Sequence, residues 1–79
     1  MKTADYMEAL KRGSEIVVVS NDPNTNSAIF YMDTRSEKLY TFSKFWGVME
    51  RTDLTAENLV NHLESMEAES RIFIRGYED

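Results

Sequence analysis

At 79 residues the chain is expected to form one domain, residues 1–79, of a size at which folding buries only about 60–65% of the surface the unfolded chain exposes, so its stability should be modest. It contains no cysteine, which excludes disulfide staples, a thiolate nucleophile and Cys-containing zinc clusters and makes a cytoplasmic location the expectation. The formal charge of -5 resides wholly in residues 50–70, where Glu50, Asp53, Glu57, Glu64, Glu67 and Glu69 oppose Arg51 alone; such acidity disfavours nonspecific contact with DNA or anionic lipid.

Residues 1–14 are polar and lack the apolar core of a signal peptide, and the longest unbroken apolar run, Ala28 to Met32, is far too short to cross a bilayer. No membrane association is expected. A short first helix is predicted with Thr3 as its cap, Tyr6, Met7 and Leu10 on one face, Asp5 in the first turn, Lys11 and Arg12 in the last, and Gly13 beyond. The β-branched run Ile16 to Val19 predicts a strand apolar on both faces, hence one inside a sheet. Asn21 to Ser27, with the one proline, Pro23, is turn-forming throughout.

Ala28 to Asp33 and Lys38 to Trp46 predict an antiparallel hairpin closed by Thr34 to Glu37. Gly47 interrupts the aromatic run, and the pattern leaves open whether Val48 and Met49 continue that strand past a bulge or begin another. Thr55 is placed to cap a second helix reaching roughly from Ala56 to Ala68, with Leu54 and Leu59 at the positions of a hydrophobic staple. Leu59, Val60, Leu63 and Met66 form its apolar stripe, while Glu57, Asn61, Glu64 and Ser65 point to water. Arg71 to Tyr77 alternates Ile72 and Ile74 against Phe73, Arg75 and Tyr77 and predicts a last strand. The expected fold is α+β: a mainly antiparallel sheet of about four strands with two helices on one face, in the order αβββαβ.

Motifs that could carry chemistry are few. Asp22, Asn24, Asn26 and Asp33 stand at calcium-loop spacing, but the glycine required at the sixth position is Ser27, and the flanking segments predict strands where such a loop needs helices. Arg75, Gly76 and Tyr77 match the opening of the RNA-recognition sheet motif, yet Glu78 and Asp79 follow and the element order is different. The one histidine, His62, would need three carboxylates to complete a zinc site and has no partner set for a nucleophilic triad. Gly13, Gly47 and Gly76 are isolated, so no phosphate-cradling loop can be written. No motif identifies a family, and no metal, cofactor or catalytic residue is expected.

The sheet is the more informative feature. If Phe30, Met32, Ile72 and Ile74 face the helices, then Tyr31, Phe73, Arg75 and Tyr77 occupy the other face. The third strand adds either Leu39, Thr41, Ser43 and Phe45 or Lys38, Tyr40, Phe42, Lys44 and Trp46, a register the pattern leaves undecided. Two helices cover one side of a sheet, so some of these aromatics should lie open unless Phe42 and Trp46 complete the core. The expectation is a small, acidic, non-enzymatic binding protein that regulates or inhibits a larger macromolecule. Tyr31, Tyr40, Phe42, Lys44, Trp46, Phe73, Arg75 and Tyr77 would form one contact surface, and Glu57, Glu64, Glu67 and Glu69 an acidic one. A concrete form is an inhibitor of the kind phages and mobile elements encode, occupying the basic groove of a nucleic-acid-binding protein. The rivals are a binder of single-stranded nucleic acid or nucleotides that stacks bases on Tyr31, Tyr40, Phe73 and Tyr77 with Lys44, Arg71 and Arg75 meeting phosphate, and a homodimeric structural subunit.

Overall fold

A computed structural model describes residues 5–21, 27–44 and 46–75. In chain order these form α1 (Tyr6–Lys11), β1 (Glu15–Ser20), β2 (Ala28–Met32), β3 (Leu39–Ser43), β4 (Gly47–Glu50), α2 (Ala56–Met66) and β5 (Ser70–Arg75). The five strands make one antiparallel sheet in the order β4-β3-β2-β1-β5, flanked by the two helices, which is the α+β fold expected. The sheet has one strand more than predicted, because 47–50 is a separate strand and the order is αββββαβ. β3 ends at Ser43, which pairs with Gly47. Gly47 has φ 72, a left-handed conformation natural to glycine, and the Ser43 hydroxyl accepts from the Trp46 amide at 3.1 Å. Trp46 therefore lies in a turn, not at the end of a long strand.

α1 begins two residues later than Thr3 capping would place it. Asp5 is the N-cap: its Oδ1 accepts from the Glu8 amide at 3.1 Å, so Asp5 satisfies an orphan donor at the helix start and Glu8 is the acid of the first turn. Thr3 itself lies outside the described residues. Gly13, with φ 81, turns the chain out of the helix and into β1. A side chain there would be strained, and its Cβ would sit 3.3 Å from Thr34 Cγ2.

α2 begins as predicted. Thr55 Oγ1 accepts from the Asn58 amide at 3.1 Å, and Leu54 packs against the core in which Leu59 is buried. The helix stops at Met66, short of Ala68. Its 11 residues span about 16 Å, close to the roughly 19 Å between the outer strands of a five-stranded sheet. It thus carries the chain from the β4 edge across to the β5 edge, where β5 pairs with β1 from Glu15↔Arg75 to Ser20↔Ser70.

The core lies between helices and sheet. Tyr6, Ala9 and Leu10 from α1 and Leu59 and Leu63 from α2 meet Ile16, Val18, Phe30 and Leu39. Ile72, Ile74, Ala28 and Met32 pack at its margin, so alternate residues of each strand point to the helices as the period of two requires. One polar bond joins the ends of the chain on this side. The Tyr6 hydroxyl donates to Glu67 Oε2, and burial, then that bond and the nearby charge of Glu67, push the tyrosine up to about 12.

Candidate functional site

No helix among the described residues lies over the other face of the sheet. Backbone pairing places Phe73 opposite Val17, Val17 opposite Ile29, Ile29 opposite Phe42, and Phe42 opposite Val48. Residues directly opposite one another in an antiparallel sheet point to the same face. One unbroken apolar row therefore crosses all five strands. Phe42 is 42% exposed, Phe73 47% and Val48 59%, whereas core positions such as Leu63 are fully covered.

One step along the strands lies a second row: Arg75 on β5, Glu15 on β1, Tyr31 on β2, Tyr40 on β3 and Glu50 on β4. Arg75 donates from Nε and Nη2 to Glu15 Oε1 at 3.1 and 2.7 Å. The Tyr31 and Tyr40 rings stack with centroids 5.5 Å apart, a cross-strand aromatic pair. On the other side of the apolar row, Arg71 is paired with Val19 and its guanidinium lies 5.4 Å from the centre of the Phe73 ring. Glu15, Ile29, Tyr31, Phe42, Val48 and Arg75 line a shallow open depression of about 380 Å3 in this face. A larger cleft of about 560 Å3 lies on the helix side, walled in part by Lys11, Met32, Thr34, Glu37 and Ala56. Among the described residues no group of three or more His, Cys, Asp or Glu is placed to hold a metal ion.

The undecided register of the third strand is resolved by these pairings: Tyr40 and Phe42 share the open face with Tyr31, Phe73 and Arg75. Neither Phe42 nor Trp46 completes the core, and Trp46, 77% exposed, stands at the tip of the β3–β4 turn beside exposed Lys44. Tyr77 and Phe45, with Asp22, Asn24 and Asn26 of the calcium-loop pattern, lie outside the described residues. Asp33, the remaining member of that pattern, belongs to the β2–β3 turn, where its Oδ1 accepts from the Arg35 amide at 3.0 Å. That bond lowers its pKa. The pattern omitted Val17, Ile29, Val48, Glu15 and Glu50, which the sheet brings onto the same face as Arg71. The signal for Val17 and Ile29 was present in the uninterrupted apolar runs of β1 and β2, which leave apolar side chains on both faces.

The acidic residues are more scattered than a row. Glu57 and Glu64 are exposed on α2, two turns apart, and Glu69 is exposed in the connection to β5. Glu67, the C-cap, is partly buried and accepts from Tyr6. Asp53 is paired with Arg51 at 2.8 Å, an interaction that lowers the pKa of the acid and raises that of the base. His62 is exposed on α2. No helix among the described residues is long and apolar enough to cross a membrane. No protein-family model, curated protein or solved structure matches this chain.

Proposed function

We propose that this chain is a non-enzymatic binding protein that regulates or inhibits a larger macromolecular target through surface complementarity. The observation that carries the reading is the apolar row Phe73, Val17, Ile29, Phe42 and Val48, which no layer among the described residues covers, on a sheet whose other face is packed under two helices. A contiguous apolar patch rimmed by Arg75, Glu15, Tyr31 and Tyr40 has the composition of an interface centre and its margin.

The acidic side of the molecule supports the choice of target. Glu64 lies in the last turn of α2 and Glu69 just beyond it, at the negative pole of the helix, where carboxylates are unfavourable, and that last turn holds no basic residue. Charges held where they cost local stability fit a surface that steers a basic partner, such as the nucleic-acid-binding groove of a protein. On the sheet face, by contrast, Arg75 is occupied by Glu15 and Arg71 lies over Phe73. The Glu15 carboxylate lowers the positive charge a phosphate would meet at Arg75, which weakens the reading as a binder of single-stranded nucleic acid.

The test is quantitative capture from host lysate with the wild-type chain and with Glu57→Lys/Glu64→Lys as bait. A protein retained by the wild type and lost from the variant, with association that slows as salt rises, is the expected result. Glu64→Lys should at the same time raise stability by about 0.3–1 kcal/mol, because it places a cation at the helix C-terminus. Equal capture by the two baits overturns the acidic surface as a target site. Tight, salt-sensitive binding of a short single-stranded oligonucleotide, lost in Arg75→Ala, favours the rival.

A further inference from the structure

We infer that the open face of the sheet is the docking surface for a second copy of this chain, the two sheets stacking face to face about a two-fold axis that runs along β2. The inference rests on the reading of that face as an association surface and names its occupant. From β5 to β4 the apolar row reads Phe73, Val17, Ile29, Phe42, Val48. A two-fold axis along the middle strand reverses this order in the second copy. Phe73 of one copy then lies over Val48 of the other, Phe42 over Val17, and Ile29 over Ile29. Each phenyl ring meets a valine, the alternation of large and small side chains that two sheets packed about 10 Å apart require.

The same operation pairs the charges. Arg75 and Glu50 stand at opposite ends of the second row, on the two outermost strands. Reversal sets Arg75 of each copy, already bonded to Glu15 of its own sheet, over Glu50 of the other, giving two symmetric ion pairs in which each guanidinium lies between two carboxylates, with the tyrosine pairs between them near the axis. Aligned sheets cross at about 30°, so the match is tightest near β2 and loosens toward the edges. The long Arg75 side chain spans that offset. On the other flank, the turn carrying exposed Trp46 comes over the β5 strand that bears Arg71.

The competing self-pairings are worse. An axis running across the strands would put each phenylalanine over its own copy and Arg71 over Arg75. Pairing two β5 edges with Phe73 opposite Phe73 would also set Arg71 opposite Arg75, the like-charge opposition that protects an edge strand from such pairing. A face about 20 Å across is at the small end of specific interfaces, so dimerisation is expected in the micromolar range.

The experiment is sedimentation equilibrium from about 1 μM to about 500 μM, on the wild type, Glu50→Arg, Arg75→Glu, an equimolar mixture of those two, and Val48→Lys, with circular dichroism melts to show that each is folded. The wild type should be a reversible dimer. Glu50→Arg alone sets arginine over arginine and Arg75→Glu alone sets glutamate over glutamate, so each should dissociate about tenfold more readily or worse. Mixed, they have both ion pairs complementary and should form heterodimers of wild-type affinity. Val48→Lys, at an exposed position, should leave a folded monomer.

A wild type that is monomeric throughout overturns the inference, as does a dimer indifferent to Val48→Lys or a mixture no tighter than its components. If the wild type is monomeric while Val48→Lys no longer captures the target that wild type retains, the target itself occupies the face, and the proposed function stands without the dimer. A dimer that behaves as described while nothing is captured through Glu57 and Glu64 has the opposite meaning.

Discussion

The two faces of the sheet draw on the same strands and nearly the same side chains, yet one is a core and the other a surface. On the helix side, Ile16, Val18, Phe30 and Leu39 are buried against Leu10, Leu59 and Leu63. On the open side, Phe42, Val48 and Phe73 remain substantially exposed. Apolarity alone does not create a core; a second layer does, and α1 and α2 both lie on one side. A half-covered antiparallel sheet ordinarily alternates apolar residues inward with polar residues outward. Here Val17, Ile29, Phe42, Val48 and Phe73 break that alternation at the same level on every strand, and a departure so aligned is what separates an interface from scattered surface residues.

The largest test of the difference is Leu63→Ala. Leu63 is fully buried beneath α2, so its truncation should cost about 2–5 kcal/mol in urea melts. Phe42→Ala, which removes a bulkier side chain from the open face, should cost well under half as much when measured at a concentration where the chain is monomeric. Equal costs would mean that the two faces do not differ as described.

Tyr6→Phe should come next, at about 1–2 kcal/mol, because it leaves the partly buried Glu67 carboxylate without its donor. The pH dependence sharpens this. The hydroxyl titrates near 12 in the folded chain and near 10 unfolded, so its contribution is complete below pH 10 and is lost as the pH rises toward 12. The stability gap between wild type and Tyr6→Phe should therefore close over that interval, and a gap that stays constant would place the hydroxyl in water.

Thr55→Ala removes the side-chain acceptor for the Asn58 amide and should cost about 1 kcal/mol, with helical signal lost in proportion. The smallest effect belongs to the open face. Val48→Lys should change monomer stability by no more than about 0.5 kcal/mol, and a larger loss would show that β4 is part of the core after all.

Much of this architecture was legible in residue order. The Thr55 cap and the stripe of α2 depend on contacts within a turn or two of helix, and the structure has both, with Leu54 packed against the core that buries Leu59. The alternation in β5 and the polar turn after β2 are equally local, and they placed Ile72 and Ile74 toward the helices and Phe73 and Arg75 away. At α1 local signals competed, and Asp5 sits where the Glu8 amide can reach its side chain. What residue order left open was everything that depends on which strand lies beside which. Val48 and Met49 form a strand only because β3 offers them an edge, and Phe42 joins the row of Ile29 only because the β2–β3 pairing sets it opposite. Tyr6 reaches Glu67 only because α1 and α2 pack side by side over the sheet. A period of two says which residues share a face within one strand, but the register between strands is chosen by turns, pairing and the layer packed above, and it is the register that lined up the open face.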